Sequence, residues 1–275
     1  MKYFARSLSA RTVLFCAACF LLTACDRQPQ LPALTDEQIA VLTDQYAQRE
    51  NATNTDQPWR INLALRAGQE QDGKTESRRI TALIWGNDIQ HGPIRLDVMA
   101  GIGATIANAR EDTQELVLFL PQDHCALLCS GDDSRRALQA LGVPLPLDLT
   151  SMAAVLLGRF DTLFIPDWEK AGRTTKGLTQ VPLVNKQNFL SGSLLLDDQA
   201  RPVFWEDPAS GWIMEMSYSR TPNQPDRLKA RHKDGQFAIL VVKTNETPQS
   251  PYTDRQLELR IPQGTAWRTL DSARQ

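Results

Sequence analysis

Histidine is scarce here: His91, His124 and His232 are the only three in 275 residues. None stands at metal-ligand spacing from another histidine, a cysteine or a carboxylate on a helix, and no serine sits in a nucleophile-elbow sequence. These gaps argue against hydrolase and metalloenzyme chemistry, so the chain is read as a non-enzyme with no cofactor. His91 lies beside Gly92-Pro93 and reads as part of a surface turn. The one imitation of a phosphate loop is Gly101-Ile102-Gly103-Ala104-Thr105-Ile106. Its third glycine position is Ile106, and the next segment of chain is too short and too rich in Thr and Asn for a crossover helix. A β-hairpin turn bearing one apolar residue, Ile102, explains it better.

Long apolar runs are missing too. Residues 12–22, preceded by Lys2, Arg6 and Arg11, are too few to span a bilayer but have the length of the apolar region of a cleaved secretory signal. The run ends in Leu22-Thr23-Ala24-Cys25, the pattern of a bacterial lipoprotein signal whose cysteine receives lipid. The alternative is an ordinary signal peptide with Cys25 as its last small residue. Residues 1–24 are therefore read as the signal, 25–34 as a polar, proline-bearing tether, and 35–275 as a single domain. The signal holds three of the 30 basic residues and none of the 32 acidic ones, so the remainder is net negative by five. That balance argues against nucleic acid or a polybasic membrane patch as partner.

Cysteine is nearly used up on this reading. Cys16 and Cys19 leave with the signal and Cys25 carries lipid, which leaves Cys125 and Cys129 in an oxidising space. If 124–130 is a strand, the two lie on one face roughly 13 Å apart, beyond disulfide reach. A turn or helical kink brings them close enough, so a local disulfide and a pair of buried small hydrophobes both remain open.

What is present is alternation. Thr35-Asp36-Glu37-Gln38 has capping-box spacing, and Ile39, Val41, Leu42 and Tyr46 give apolar positions for a helix to about residue 50. From Trp59 the period becomes two: Trp59, Ile61, Leu63 and Leu65 alternate with Arg60, Asn62, Ala64 and Arg66. Similar runs occur at 79–85, 94–100, 104–110, 115–120 and 124–130, and later at 189–196, 202–205, 212–218, 226–231 and 236–243. Asp234-Gly235 is a hairpin signal, and Leu257, Leu259 and Ile261 suggest a last strand. Two short helices are expected at 134–141 and 149–157, each closed by a glycine, and 159–188 is read as an irregular connection. The expected fold class is mainly β (α+β), about eleven antiparallel strands with helices on one side. Large apolar residues such as Trp85, Trp205, Trp212, Met214 and Met216 fall on strand faces, where they serve an ordinary core or a deformable lining for an apolar ligand.

This order of features resembles the LolA/LolB lipoprotein-carrier superfamily, in particular its outer-membrane receptor branch, over residues 59–243. The residues that carry the resemblance are Gly142-Val143-Pro144-Leu145-Pro146-Leu147 with the apolar helix ending Leu156-Leu157-Gly158. Trp85, the run Arg95-Leu96-Asp97-Val98, the glycine-bordered Ile102, and Gly211-Trp212 to Tyr218 come in family order. The resemblance implies a half-open antiparallel β-barrel whose helices cover an apolar cavity for acyl chains of lipoproteins. It also implies a protruding membrane-engaging loop, here at Ile102, a periplasmic LolA-like carrier as partner, and a place on the outer membrane. Leu63, Trp85, Trp212, Met214 and Met216 are the expected cavity lining. A filled interior serving a protein-binding or sensor role is the alternative. Three features depart from the family: Ile between glycines where the receptor has Pro-Leu-Gly, the longer 159–188 connection, and an extension at 244–275. Asp26, directly after the lipid site, is in enteric bacteria an inner-membrane retention signal, so that membrane is the alternative location.

Overall fold

Strand formation obeys the alternation. In β1 (Trp59–Gln71) the side chains of Trp59, Ile61, Leu63, Leu65 and Ala67 are buried, while Arg60 and Arg66 are exposed. The computed structural model describes residues 31–51, 57–101, 103–129, 132–187 and 189–269. The signal, Cys25, Asp26 and Ile102 lie outside the described residues.

After β1 come β2 (Lys74–Gly86), β3 (Ile94–Ala100), β4 (Thr105–Glu111), β5 (Leu116–Leu120) and β6 (Cys125–Cys129). Two helices intervene, then β7 (Gly172–Arg173), β8 (Thr179–Pro182), β9 (Ser193–Leu196), β10 (Pro202–Asp207), β11 (Trp212–Ser217), β12 (Arg227–His232), β13 (Gln236–Glu246) and β14 (Ala266–Thr269). All belong to one sheet in the order β14-β6-β5-β4-β3-β2-β1-β13-β12-β11-β10-β9-β8-β7. The sheet is thus two meanders, β1 to β6 and β7 to β13, joined by one seam, β1 against β13, with Leu65 opposite Leu240, and β14 is added beside β6. Its end strands β14 and β7 do not pair, so it stays open. Every pairing is antiparallel except β14 with β6, which is parallel.

Among the described residues, fourteen strands exceed the expected eleven or so. Part of the excess comes from 159–188, which is ordered by β7, β8 and a 3-10 turn at Trp168–Lys170 rather than irregular. Those strands are two and four residues long, too short for alternation to register. The strand suggested by Leu257, Leu259 and Ile261 is absent. A capping box between Thr253 and Gln256 starts a helical turn instead.

The inner face of the sheet is covered by α1 (Asp36–Asn51), α2 (Asp132–Ala140) and α3 (Leu149–Leu157). Thr35 and Gln38 exchange capping-box hydrogen bonds at the start of α1, which buries Leu42 and Tyr46 and leaves Val41 exposed. A fourth helix, α4 (Asp254–Leu257), belongs to the C-terminal extension on the outer face. Among the described residues no helix is long and apolar enough to cross a membrane.

Candidate functional site

α3 occupies the inner face of the sheet and its composition explains why. Seven of its nine residues, Leu149, Met152, Ala153, Ala154, Val155, Leu156 and Leu157, are buried, so it has no solvent face of the kind a surface helix keeps. Asp148 caps its start by accepting from Ser151 N at 2.6 Å. Gly158 ends it at φ 80°, a left-handed conformation that a side chain resists, with Asn223 O where a Cβ would go. Both ends were legible in the sequence.

A second carboxylate meets this helix from the sheet. Glu111, the last residue of β4, is 5 % exposed and accepts hydrogen bonds from Thr150 N at 2.6 Å and Thr150 Oγ1 at 3.0 Å. Burial, with nearby Asp148 adding, pushes its carboxyl up to about 7, against the hydrogen bonds from Thr150 and Ser134. Alternation places Glu111 with Ala107 and Ala109 on the inner face, but its partner lies 39 residues on, which no local pattern announces.

The expected lining residues divide. Leu63, Trp212, Met214 and Met216 do face inward, at 2, 8, 0 and 4 % exposure, within the same apolar cluster as Met152 and Leu156. Exposure that low leaves no void beside them that water enters, so with α3 in place they are packed core. Trp85 is a correction. It comes directly after inward-facing Ile84, so it points to the outer face, where the Arg95 guanidinium lies 5.2 Å from its ring centroid.

Cys125 and Cys129 flank Leu127 on one side of β6, and both are buried free thiols. The disulfide alternative fails because the segment is extended, without the turn that a bridge needs. Burial, with Asp133 and Glu111 nearby, pushes the Cys129 thiol up to about 11.

Two open spaces border these elements. One, about 530 Å³, lies where the β1–β2 end meets the α2–α3 connection, bordered by Gln69, Ser77, Gln139 and Pro144. Arg78 crosses there to donate to Leu141 O. The other, about 640 Å³, lies on the outer face beneath the C-terminal extension, lined by Arg110, Val117, Leu257, Leu259, Ile261 and Trp267. The extension is held there by paired hydrogen bonds between Asn87 and Tyr252 and by Arg95 donating to Glu258 O. The sequence holds no local sign of this space, since nothing there says that the extension folds back over the sheet.

The hairpin between β3 and β4 closes through Ala100 N to Ala104 O at 2.8 Å and Gly103 N to Ala100 O at 2.8 Å. A hairpin turn therefore links β3 to β4, as the sequence suggests, with Thr105 and Ile106 already in β4.

No protein-family model matches the sequence, and no curated protein matches it. Solved structures do. A LolA superfamily protein from Nitrosomonas europaea has a TM-score of 0.50 over 78 % of this chain and 98 % of that one, at 11 % identity. A putative outer membrane lipoprotein-sorting protein domain from Vibrio parahaemolyticus gives 0.48 over 77 % and 94 %, at 10 % identity. A DUF1329 family protein from Desulfovibrio piger gives 0.42 over 80 % and 97 %, at 12 % identity. At such identities the likeness speaks for architecture alone: this chain has the open, mostly antiparallel half-barrel fold of the LolA superfamily.

Proposed function

We propose that this chain is a lipid-anchored, periplasm-facing envelope protein that takes acyl chains of lipoproteins between its sheet and α3, and so assists their sorting without making or breaking a bond. The observation that carries this reading is α3 itself, an apolar helix laid on a Leu, Met and Trp surface. Such a surface accepts one apolar body in place of another. Each methylene withdrawn from water is worth about 0.8 kcal/mol, so several acyl chains offset the displacement of one short helix. Leu63, Trp212, Met214 and Met216 form the lining once α3 moves, and the space beside Arg78 is the entrance. Cys25 carries the anchor, Ile102 at the β3–β4 turn engages lipid, and a LolA-like carrier is the partner. The fold resemblance favours the outer membrane, whereas Asp26 favours the inner one.

The packed inner face supports a second reading, a protein-binding or sensor lipoprotein with a permanently filled interior. Native mass spectrometry of a soluble Cys25→Ala form separates the two. Bound acyl species are expected, and a protein that stays empty after incubation with lipoprotein supports the second reading. Ile102→Glu is expected to stop delivery to vesicles while leaving acyl binding intact.

A further inference from the structure

We propose that Glu111 is a proton-operated latch on α3: with its carboxyl protonated the helix stays seated on the sheet, and ionisation of that carboxyl loosens it. This rests on the reading in which α3 moves, and names what regulates the movement.

The geometry is a cluster of groups at one helix end. Glu111 reaches from β4 to Thr150 N and Oγ1, and Asp148 accepts from Ser151 N, so two carboxyl groups share the first turn of α3. From α2, Ser134 donates to Glu111, and Arg135 lies 3.7 Å from Asp148. From β6, Cys129 faces the same pocket, with Asp133 and Arg136 near it. Asp148 is half-buried and Glu111 is buried, and the Arg135 guanidinium lies beside Asp148. A charge on Glu111 therefore sits in low dielectric beside another of the same sign, with hydrogen bonds as its compensation.

With α3 seated, the Glu111 carboxyl is held up at about 7, and once exposed to water it returns to the ordinary value of 4.5. The seated form thus binds the proton more tightly. Below pH 4.5 both forms are protonated and seating is at its strongest; between 4.5 and about 7 the loosened form gives up its proton first, and the balance shifts toward it. Above that window both forms are ionised and the balance is level. The full shift approaches a few hundredfold, at no more than about tenfold per pH unit for one proton.

Hydrogen exchange of the α3 amides in the soluble Cys25→Ala protein, corrected for intrinsic rates, reads this directly from pH 4 to 8.5. The expected result is an opening constant that rises by roughly fivefold to tenfold between pH 5 and 6 and is level above about pH 8. Glu111→Gln keeps an acceptor but no charge, and is expected to leave opening low and flat. Asp148→Asn keeps the cap and removes the neighbouring charge, so the rise is expected to level off at lower pH and to be smaller. Equal pH profiles for wild type and Glu111→Gln overturn the latch. So does a rise shared by every amide of the sheet, which reports global unfolding instead. Acyl-chain binding is scored separately by mass spectrometry: bound acyl species with pH-independent α3 protection sink the latch alone, and an empty protein with the expected exchange profile sinks only the transport reading.

Discussion

Arg95 lies across the indole of Trp85 on the outer face of the sheet, 5.2 Å from its centroid, and is only 7 % exposed. From there it donates to Ala109 O at 3.1 Å, to Asp97 Oδ1 at 3.3 Å and to Glu258 O. One side chain therefore ties β2, β3 and β4 to the C-terminal extension. Burial lowers its pKa, but an arginine remains charged throughout the working range.

Arg95→Met keeps the apolar stem and removes these hydrogen bonds. We expect a loss of roughly 2–3 kcal/mol in urea denaturation, since several hydrogen bonds made by a charged group are being broken. Trypsin should also cut at Arg255 or Arg260 in the variant well before the rest of the domain. Unchanged protease resistance means the extension is held by other contacts.

Gly158→Ala tests the end of α3. A Cβ there would collide with Asn223 O at a φ of 80°, so we expect a loss of at least about 2 kcal/mol. Gly177 shares the backbone conformation at φ 82° but has nothing within 4 Å, and Gly177→Ala should cost only about 1 kcal/mol. Equal losses would mean that backbone strain alone sets the cost.

The two thiols should be inert in the native protein. In a soluble form lacking residues 1–25, Cys125 and Cys129 are buried, and the raised pKa of Cys129 leaves almost no thiolate at pH 8. A colorimetric thiol reagent should find no reactive cysteine before denaturation and two after it. An oxidised pair, silent even in denaturant without reductant, would contradict the extended strand.

Removing residues 263–275 should expose the edge of β6, which β14 covers. Light scattering is expected to show concentration-dependent self-association, the usual outcome of an uncovered edge strand. A truncated protein that stays monomeric would show that β6 protects itself.

Legibility of the sequence tracked the range of the interactions involved. Strands β1, β3 and β11, the hairpin at Asp234-Gly235 and the apolar helix ending at Gly158 are written in neighbouring residues, and 94–100 and 149–157 match in both bounds. Faces were harder where both sides of a strand are covered. Val117, Phe119 and Ala126 are buried outside the main core, with Leu257 of the extension buried there too. Trp85 shows the same difficulty: an apolar residue over the outer face looks like core until the covering segment is known. Leu257, Leu259 and Ile261 kept period two, yet the local cap at Thr253 prevailed. Of the site, the helix was readable, while Glu111 and Arg95 were not, because each acts through a partner far along the chain.

The seam between β1 and β13 sets a timetable for assembly. Each meander is made of hairpins whose strands meet soon after they emerge, but Leu65 and Leu240 find each other only when most of the polypeptide is available. Closing so large a loop is slow, and until then both halves carry a bare central edge. Folding of this chain thus holds a window in which chaperones, rather than its own architecture, must keep the halves apart from their neighbours.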